Sequence, residues 1–180
     1  MARILILYGT TEGQTAKIAQ FMADVGGKLG EQVDVANIAD LPETLELLRY
    51  DAVLLGGSLH EHHYQRALGA FVARHRAWLA AHRTGFFSVS LGAASRDPAE
   101  HVEVRKLMGE FTKGLGWSPG LTASFAGALK YTQYSWLKRM LMKHIAKKEG
   151  GSTDTSVDHE YTNWDDVREF AQRFFDADLG

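Results

Sequence analysis

Thr10, Thr11 and Thr15 lie close together in the stretch Tyr8-Gly9-Thr10-Thr11-Glu12-Gly13-Gln14-Thr15, with a glycine and a carboxamide among them. Three hydroxyls and the Gln14 amide are uncharged hydrogen-bond donors gathered in one short run. The apolar run Ile4-Leu5-Ile6-Leu7 precedes them, and Ala16, Ile18, Ala19, Met22 and Val25 come after at roughly helical spacing. A strand, a tight loop and a helix start are the consequence. Such a loop aims backbone N–H groups and the positive end of a helix dipole at one spot, which suits a phosphate. The loop lacks the Lys of a nucleoside triphosphate loop, and it lacks the GxGxxG of a dinucleotide fold. The remaining possibility is a monophosphate cradle of mainly neutral donors, the competing reading being a plain strand-to-helix turn with N-cap threonines.

A second group of chemistry-bearing residues comes after Gly56-Gly57: Ser58, Leu59, His60, Glu61, His62, His63 and Tyr64. Three histidines so close together suggest a metal. No Cys or Asp accompanies them at ligand spacing, however, and consecutive loop positions rarely converge three imidazoles, so no metal site is read. His60, His62, His63 and Tyr64 are instead candidates for substrate contact or proton transfer. His75 and His82 read as helix-surface or boundary residues. A third group, Ser90-Leu91-Gly92-Ala93-Ala94, repeats the pattern of small and polar residues after an apolar run.

The elements that must position these groups alternate along the chain. Gly30 reads as the cap that ends the first helix near Leu29, with Gly26-Gly27 inside it either shortening it or allowing close packing. Val33-Asp34-Val35-Ala36 alternates as a second strand, and Asp40-Leu41-Pro42 starts a short helical turn with Pro42 near its first position. Ala52-Val53-Leu54-Leu55-Gly56-Gly57 is the continuous apolar run of a buried parallel strand. The spacing of Leu68, Phe71, Val72, His75 and Leu79 predicts a helix over 65–82, Phe86 to Leu91 a fourth strand, and 100–115 a helix carrying Val104, Leu107, Met108 and Phe111. A weaker strand covers 121–126. A last helix over 164–177 is capped by Thr162, with Asp165 three residues on.

This alternation predicts an α/β fold, a doubly wound five-stranded parallel sheet in the order 2-1-3-4-5 with right-handed crossovers. In that order ligands bind outside the carboxyl ends of strands 1, 3 and 4, from which the three polar groups emerge. They form one site.

Bulk composition narrows the chemistry. The 180 residues suit one domain, 1–180, able to bury roughly 70% of its unfolded surface. With no cysteine, disulfides, thiolate metal sites, Fe–S clusters and cysteine nucleophiles are excluded, so redox chemistry requires a bound cofactor. No basic leader with a long apolar stretch opens the chain, and no run approaches a membrane span, so a cytoplasmic protein is expected.

The net charge of −2 conceals an asymmetry. Lys130, Lys138, Arg139, Lys143, Lys147 and Lys148 occupy one stretch without an acid, which leaves 14 basic residues against 22 acids elsewhere. They lie in an insertion at about 127–161, between the fifth strand and the last helix, where Tyr131, Tyr134, Trp136, Leu137, Met140, Leu141, Met142 and Ile145 are interleaved with them. Leu137, Met140, Leu141 and His144 share one helical face. This basic amphipathic segment suits an anionic membrane surface or a large apolar substrate bearing carboxylates, or else packs on its own domain with a solvated face. The acidic remainder of the chain argues against nucleic acid.

Thr-x-x-Gly-x-Thr after a first strand resembles the FMN phosphate loop of the flavodoxin family. Gly127-Ala128-Leu129-Lys130-Tyr131-Thr132-Gln133-Tyr134, Gly150-Gly151-Ser152-Thr153-Asp154-Thr155 and Tyr161-Thr162-Asn163-Trp164, taken with Gly13-Gln14-Thr15 and the loop 58–64, resemble more closely the quinone-dependent protoporphyrinogen IX dehydrogenases of bacterial haem synthesis. The likeness spans essentially the whole chain. It implies a flavodoxin-like enzyme that oxidises protoporphyrinogen IX in two-electron steps through FMN and passes the electrons to menaquinone or another quinone. It implies Thr10, Thr11, Glu12, Gly13, Gln14 and Thr15 at the phosphate, and Ser58, Leu59, His60, Ser90, Leu91 and Gly92 at the ring. Thr153 and Asp154 would close over the flavin. It further implies that Lys130, Trp136, Lys138, Arg139, Lys143, Lys147 and Lys148 meet propionates or lipid headgroups, as a peripheral protein on the cytoplasmic face of the inner membrane would. Gly9 and Thr11-Glu12 depart from the serine-led, Arg-Asp form of the loop in that family. An electron-carrier flavodoxin or a flavodoxin-like quinone or NAD(P)H reductase is the alternative; carriers combine an acidic rim with aromatic stacking, and no Trp occurs in either ring-facing loop.

Overall fold

The computed structural model describes residues 1–42, 45–129, 146–147 and 158–176. Five parallel strands form the sheet, in the order β2-β1-β3-β4-β5: β1 Arg3–Gly9, β2 Gln32–Asn37, β3 Ala52–Ser58, β4 Arg83–Ser90 and β5 Leu121–Ala126. Helices α1 Gln14–Lys28, α2 Arg66–Ala81, α3 Pro98–Gly114 and α4 Trp164–Phe175 cover both faces. The doubly wound arrangement and its strand order are those expected from the sequence.

The two-residue period of the strands divides the core into two layers. Ile4 and Ile6 of β1, Leu54 of β3 and Phe87 and Val89 of β4 point to one face, where Ile18 and Met22 of α1 meet Val167, Phe170 and Phe174 of α4. Leu5, Leu7, Val53, Leu55 and Phe86 point to the other, against Leu68, Phe71 and Val72 of α2 and Met108 of α3. Each central strand is therefore apolar on both sides, which is why β1 and β3 read as unbroken apolar runs.

Several expected boundaries shift for local reasons. Gly30 does terminate α1, in the left-handed region at φ 90°, while the Glu31 and Gly30 N–H groups donate back to the carbonyls of Gly26 and Gly27 at 3.0 and 3.1 Å. The turn expected at Asp40-Leu41-Pro42 comes earlier, as a 3-10 turn over Ile38–Asp40 whose Ala39 N–H is capped by Asn37; the Pro42 carbonyl merely accepts from Leu45 N–H. α4 is capped by Asn163, not Thr162: the Asn163 side chain accepts from the N–H groups of Asp165 and Asp166. Thr162 is occupied elsewhere, donating to the Ala126 carbonyl at 2.7 Å.

The expected insertion is clasped at its root. β6 Ala128–Leu129 and β7 His159–Glu160 form an antiparallel pair, Ala128 opposite Glu160 and Leu129 opposite His159. Ala146 is buried against Leu129, with Leu91 and Tyr161 packed around them, and Lys147 beside it is exposed. The amphipathic helix expected in the insertion, with Lys130, Trp136, Lys138, Arg139, Lys143 and Lys148, lies outside the described residues, as do Thr153 and Asp154.

Tyr64, read from sequence as a candidate at the site, belongs to the second core layer instead. Its ring stands 4.7 Å from Phe111 and 5.3 Å from Phe86 between centroids. Its hydroxyl donates to Ser88 Oγ at 2.8 Å, and burial pushes the phenol up to about 12, with the Ser88 bond acting slightly the other way. The raised value favours the neutral form in the fold. Its stabilising contribution is complete below the ordinary tyrosine value near 10 and drains away as pH rises from about 10 to 12. In Tyr64→Phe that part of the alkaline loss disappears, and denaturant midpoints measured from pH 9 to 12 should fall less steeply than in the wild type.

The glycine pair of α1 resolves into two different positions. A Cβ on Gly26 would stand 2.7 Å from Phe175 Cζ and 2.8 Å from Val33 Cγ2, whereas one on Gly27 would meet nothing within 4 Å. Gly26→Ala should therefore cost about 1–3 kcal/mol through overpacking. Gly27→Ala should gain up to about 1 kcal/mol of helix propensity. Thermal melts of the two variants check this, the expected shifts having opposite signs.

Candidate functional site

The loop between β1 and α1 is shaped by its own hydrogen bonds. Gly13 sits in the left-handed region at φ 87° and forms the N-cap of α1, and its N–H donates to Thr10 Oγ1 at 2.8 Å. The first helical bond runs from Lys17 N–H to the Gly13 carbonyl at 3.3 Å. The N–H groups of Gln14, Thr15 and Ala16 consequently have no acceptor within the helix and face out of its N-terminus. Thr15 is 1% exposed, and its hydroxyl has no hydrogen-bond partner among the described residues. A buried hydroxyl without a partner, beside free N–H groups at a helix N-terminus, fits an anionic oxygen.

Gln14 is held from behind. Its Nε2 donates at 2.9 Å to Thr162 Oγ1, the same hydroxyl that donates to Ala126. Next to it Glu160 accepts from Trp164 Nε1 at 2.9 Å and pairs with Lys17 Nζ at 3.4 Å. Burial raises the Glu160 pKa, but the hydrogen bonds from Trp164, Gln14 and Lys17 outweigh it and leave the carboxyl below its ordinary value. The root of the insertion is thereby fastened to the first turn of α1.

Beyond β3 the chain makes a two-residue hairpin. Leu59 N–H donates to the Val89 carbonyl at 2.8 Å, and His60 and His63 exchange backbone hydrogen bonds of 3.0 and 2.9 Å. Between them Glu61 and His62 both take left-handed conformations, φ 47° and 65°, as a tight hairpin turn requires but non-glycine residues seldom supply. Beyond β4, Ser90 accepts through Oγ from Ala93 N–H at 3.2 Å and through its carbonyl from Gly127 N–H at 2.9 Å.

These loops enclose one cleft of about 420 Å³. Of the residues read from sequence, Thr10, Thr11, Glu12, Gln14, Thr15, Ser58, Leu59, His60, Ser90, Leu91 and Gly92 all line it, as does His62. Gly13 shapes the loop without forming wall, and His63 and Tyr64 lie off the cleft. Sequence reading missed the contribution of α3: Glu100, Glu103, Val104 and Leu107 form one side of the mouth, and Gly127 and Ala128 form the floor at the insertion's root. The helical spacing of those four α3 residues was the available signal, since two acids on the apolar stripe are out of place unless the stripe reaches an opening.

The described walls carry no Lys or Arg. The donors of the cradle are therefore uncharged hydroxyl, carboxamide and backbone N–H groups. Carboxylates of Glu12, Glu61, Glu100 and Glu103 border the same cleft, and no Trp, Tyr or Phe does among the described residues. A flat ring entering here would meet Leu59, Leu91 and His60 rather than an aromatic face. Among the described residues, no three His, Asp or Glu side chains are grouped to hold a metal ion.

Comparison with known proteins extends the geometry. Residues 5–156 match a family model described as a flavodoxin domain. The protoporphyrinogen IX dehydrogenase [quinone] of Escherichia coli strain K12 is 38% identical over 173 residues, covering 94% of this chain and 93% of that protein. The protein of the same name from Leishmania major is 36% identical over 176 residues, covering 96% of this chain and 74% of its own length. Among solved structures, a Streptococcus pneumoniae TIGR4 flavodoxin superposes with a TM-score of 0.56 at 13% identity, covering 97% of this chain and 96% of its own, which speaks to the fold alone. A flavodoxin fold with a neutral loop at the switch point, matched over nearly its whole length by proteins of one name, makes this chain a member of the flavodoxin-domain family of quinone-dependent protoporphyrinogen IX dehydrogenases.

Proposed function

We propose that this chain, acting as a single FMN-binding unit, oxidises protoporphyrinogen IX to protoporphyrin IX and delivers the electrons to a quinone, menaquinone among the candidates. The observation that carries the reading is the 38% identity that extends across 94% of this chain, the insertion included. The cleft fits the cofactor on its own terms, because the buried Thr15 hydroxyl and the free N–H groups of the α1 N-terminus suit an anion.

FMN supplies the capacity to take two electrons from a carbon-bound hydrogen and pass them on. The protein's part is binding and orientation. Thr10, Thr11, Gln14 and Thr15 would hold the phosphate, Gly13 giving the loop its turn. Ser58, Leu59 and His60 with Ser90, Leu91 and Gly92 would bracket the ring, and Thr153 and Asp154 would close over it. The substrate loses six electrons in three two-electron steps, hydride equivalents leaving carbon while the accompanying protons leave both nitrogen and carbon. His60, His62, Glu100 and Glu103 stand at the cleft as groups able to accept them. Among the described residues no helix is long and apolar enough to cross a membrane. We infer that the quinone is met at a membrane surface, where Lys130, Trp136, Lys138, Arg139, Lys143, Lys147 and Lys148 would engage anionic headgroups on the cytoplasmic face of the inner membrane.

The carrier reading retains one supporting observation, the four carboxylates around the cleft, a rim suited to docking a basic redox partner. Anaerobic oxidation of protoporphyrinogen IX, followed by porphyrin fluorescence with and without a menaquinone analogue, separates the two. Quinone-dependent growth above the uncatalysed rate is expected, and Thr15→Val should lower FMN affinity about tenfold, the loss of a charge-assisted hydrogen bond being worth ~1.5 kcal/mol. Fluorescence that never exceeds the uncatalysed rate in FMN-loaded protein would favour the carrier. The combined change Lys138→Glu, Arg139→Glu and Lys143→Glu should reduce sedimentation with anionic liposomes while FMN content stays constant; undiminished sedimentation would remove the membrane assignment.

A further inference from the structure

Gln65 occupies the N-cap of α2, yet its side chain makes no capping bond to its own helix. The carboxamide turns instead to Thr11 and Ser58, behind the cleft wall. Its Nε2 donates to Thr11 Oγ1 at 3.2 Å and to the Ser58 carbonyl at 3.2 Å, and its Oε1 accepts from Ser58 N–H at 3.2 Å. One side chain therefore joins the phosphate loop to the end of β3. Gly9 makes room for it: a Cβ there would stand 2.6 Å from Gln65 Oε1 and 3.0 Å from its Cδ and Cγ.

Thr11 belongs to the phosphate loop and Ser58 to the ring loop, and the single Nε2 of Gln65 bonds to both, so the two loops are joined edge to edge. Gln65 itself does not line the cleft. Its effect on a ligand there would pass through the two residues it bridges. We propose that Gln65 is a positioning residue, a strut seated in the socket left by Gly9, that fixes the distance between the phosphate cradle and the ring loop. The assignment rests on the FMN reading above. Its physical basis is preorganisation. When one end of a ligand is bound, the other is captured at a high effective concentration only if the two half-sites hold their spacing.

The strut makes a prediction that general destabilisation does not. FMN uses both half-sites, whereas riboflavin, lacking the phosphate, uses the ring half alone. With dissociation constants measured by quenching of flavin fluorescence, Gln65→Ala should weaken FMN about tenfold, equivalent to ~1.4 kcal/mol. Riboflavin, which loses only the ordering of Ser58, should weaken by no more than about twofold to threefold. An FMN-to-riboflavin affinity ratio that stays at the wild-type value overturns the strut while leaving the cofactor reading intact. Wild-type protein that binds no FMN overturns both.

The socket is tested separately, without any flavin, by thermal melts of Gly9→Ala in two backgrounds. In the Gln65 background the added methyl displaces the carboxamide and should lower Tm by several degrees. In Gln65→Ala the space is vacant, and the same change should leave Tm unaltered. Equal drops in both backgrounds would show that Gly9 serves some other purpose.

Discussion

The level at which β1 and β3 stop governs everything above them. Tyr8 pairs with Gly56 and Gly9 with Gly57, and on the other side Gly57 pairs with Ser88 and Ser58 with Val89. With that register the phosphate loop, the hairpin after β3 and the turn after β4 leave the sheet side by side. The glycines at the end of β3 hold it in place. A Cβ on Gly56 would overlap the Phe87 ring, and one on Gly57 would stand 2.7 Å from Tyr64 Cδ1. Two aromatic rings thus press directly on the strand from opposite layers, and a slip of one residue would set side chains against them. Core packing sets the level at which the three loops leave the sheet.

A second constraint comes from polar groups that have to be satisfied at the edge of that cleft. Thr162 gives its proton to the Ala126 carbonyl and receives one from Gln14, so it joins the end of β5 to the start of α1. Glu160, kept ionised by three donors, receives Trp164 Nε1 and pairs with Lys17. The Trp164 ring also lies 5.0 Å from Phe21 of α1, between centroids. The segment that leads from β7 into α4 is therefore tied to the helix whose N-terminus forms the cradle.

The sheet was legible because each central strand is buried on both faces, and a run such as Ile4-Leu5-Ile6-Leu7 between turn residues has few other uses. The cleft residues on β1, β3 and β4 were legible for a related reason: strand order alone brings those three loops together. The features that escaped were decided by competition between equivalent groups. Thr162 and Asn163 both qualify as a cap, and the choice turned on the Ala126 carbonyl, which needed a donor and lies far away in sequence. Tyr64 comes after three histidines on the hairpin but turns in against Phe86 and Phe111, its ring filling the space beside Gly57. β6 and β7 are two residues each, too short for any period to reveal. Gln65 looked like an ordinary helix start, since nothing local shows that a carboxamide will fold away from its own helix.

The clasp between β6 and β7 separates two evolutionary pressures on this chain. It brings Leu129 and His159 opposite one another, so the two ends of the insertion leave the domain side by side. Closing such a loop costs little more as it lengthens, about 0.6 kcal/mol for each doubling. The length of the insertion is therefore loosely constrained by the sheet, while Ala146, buried against Leu129, ties one of its positions to the domain. Away from such anchors a new specificity could arise in this segment without first securing extra stability elsewhere.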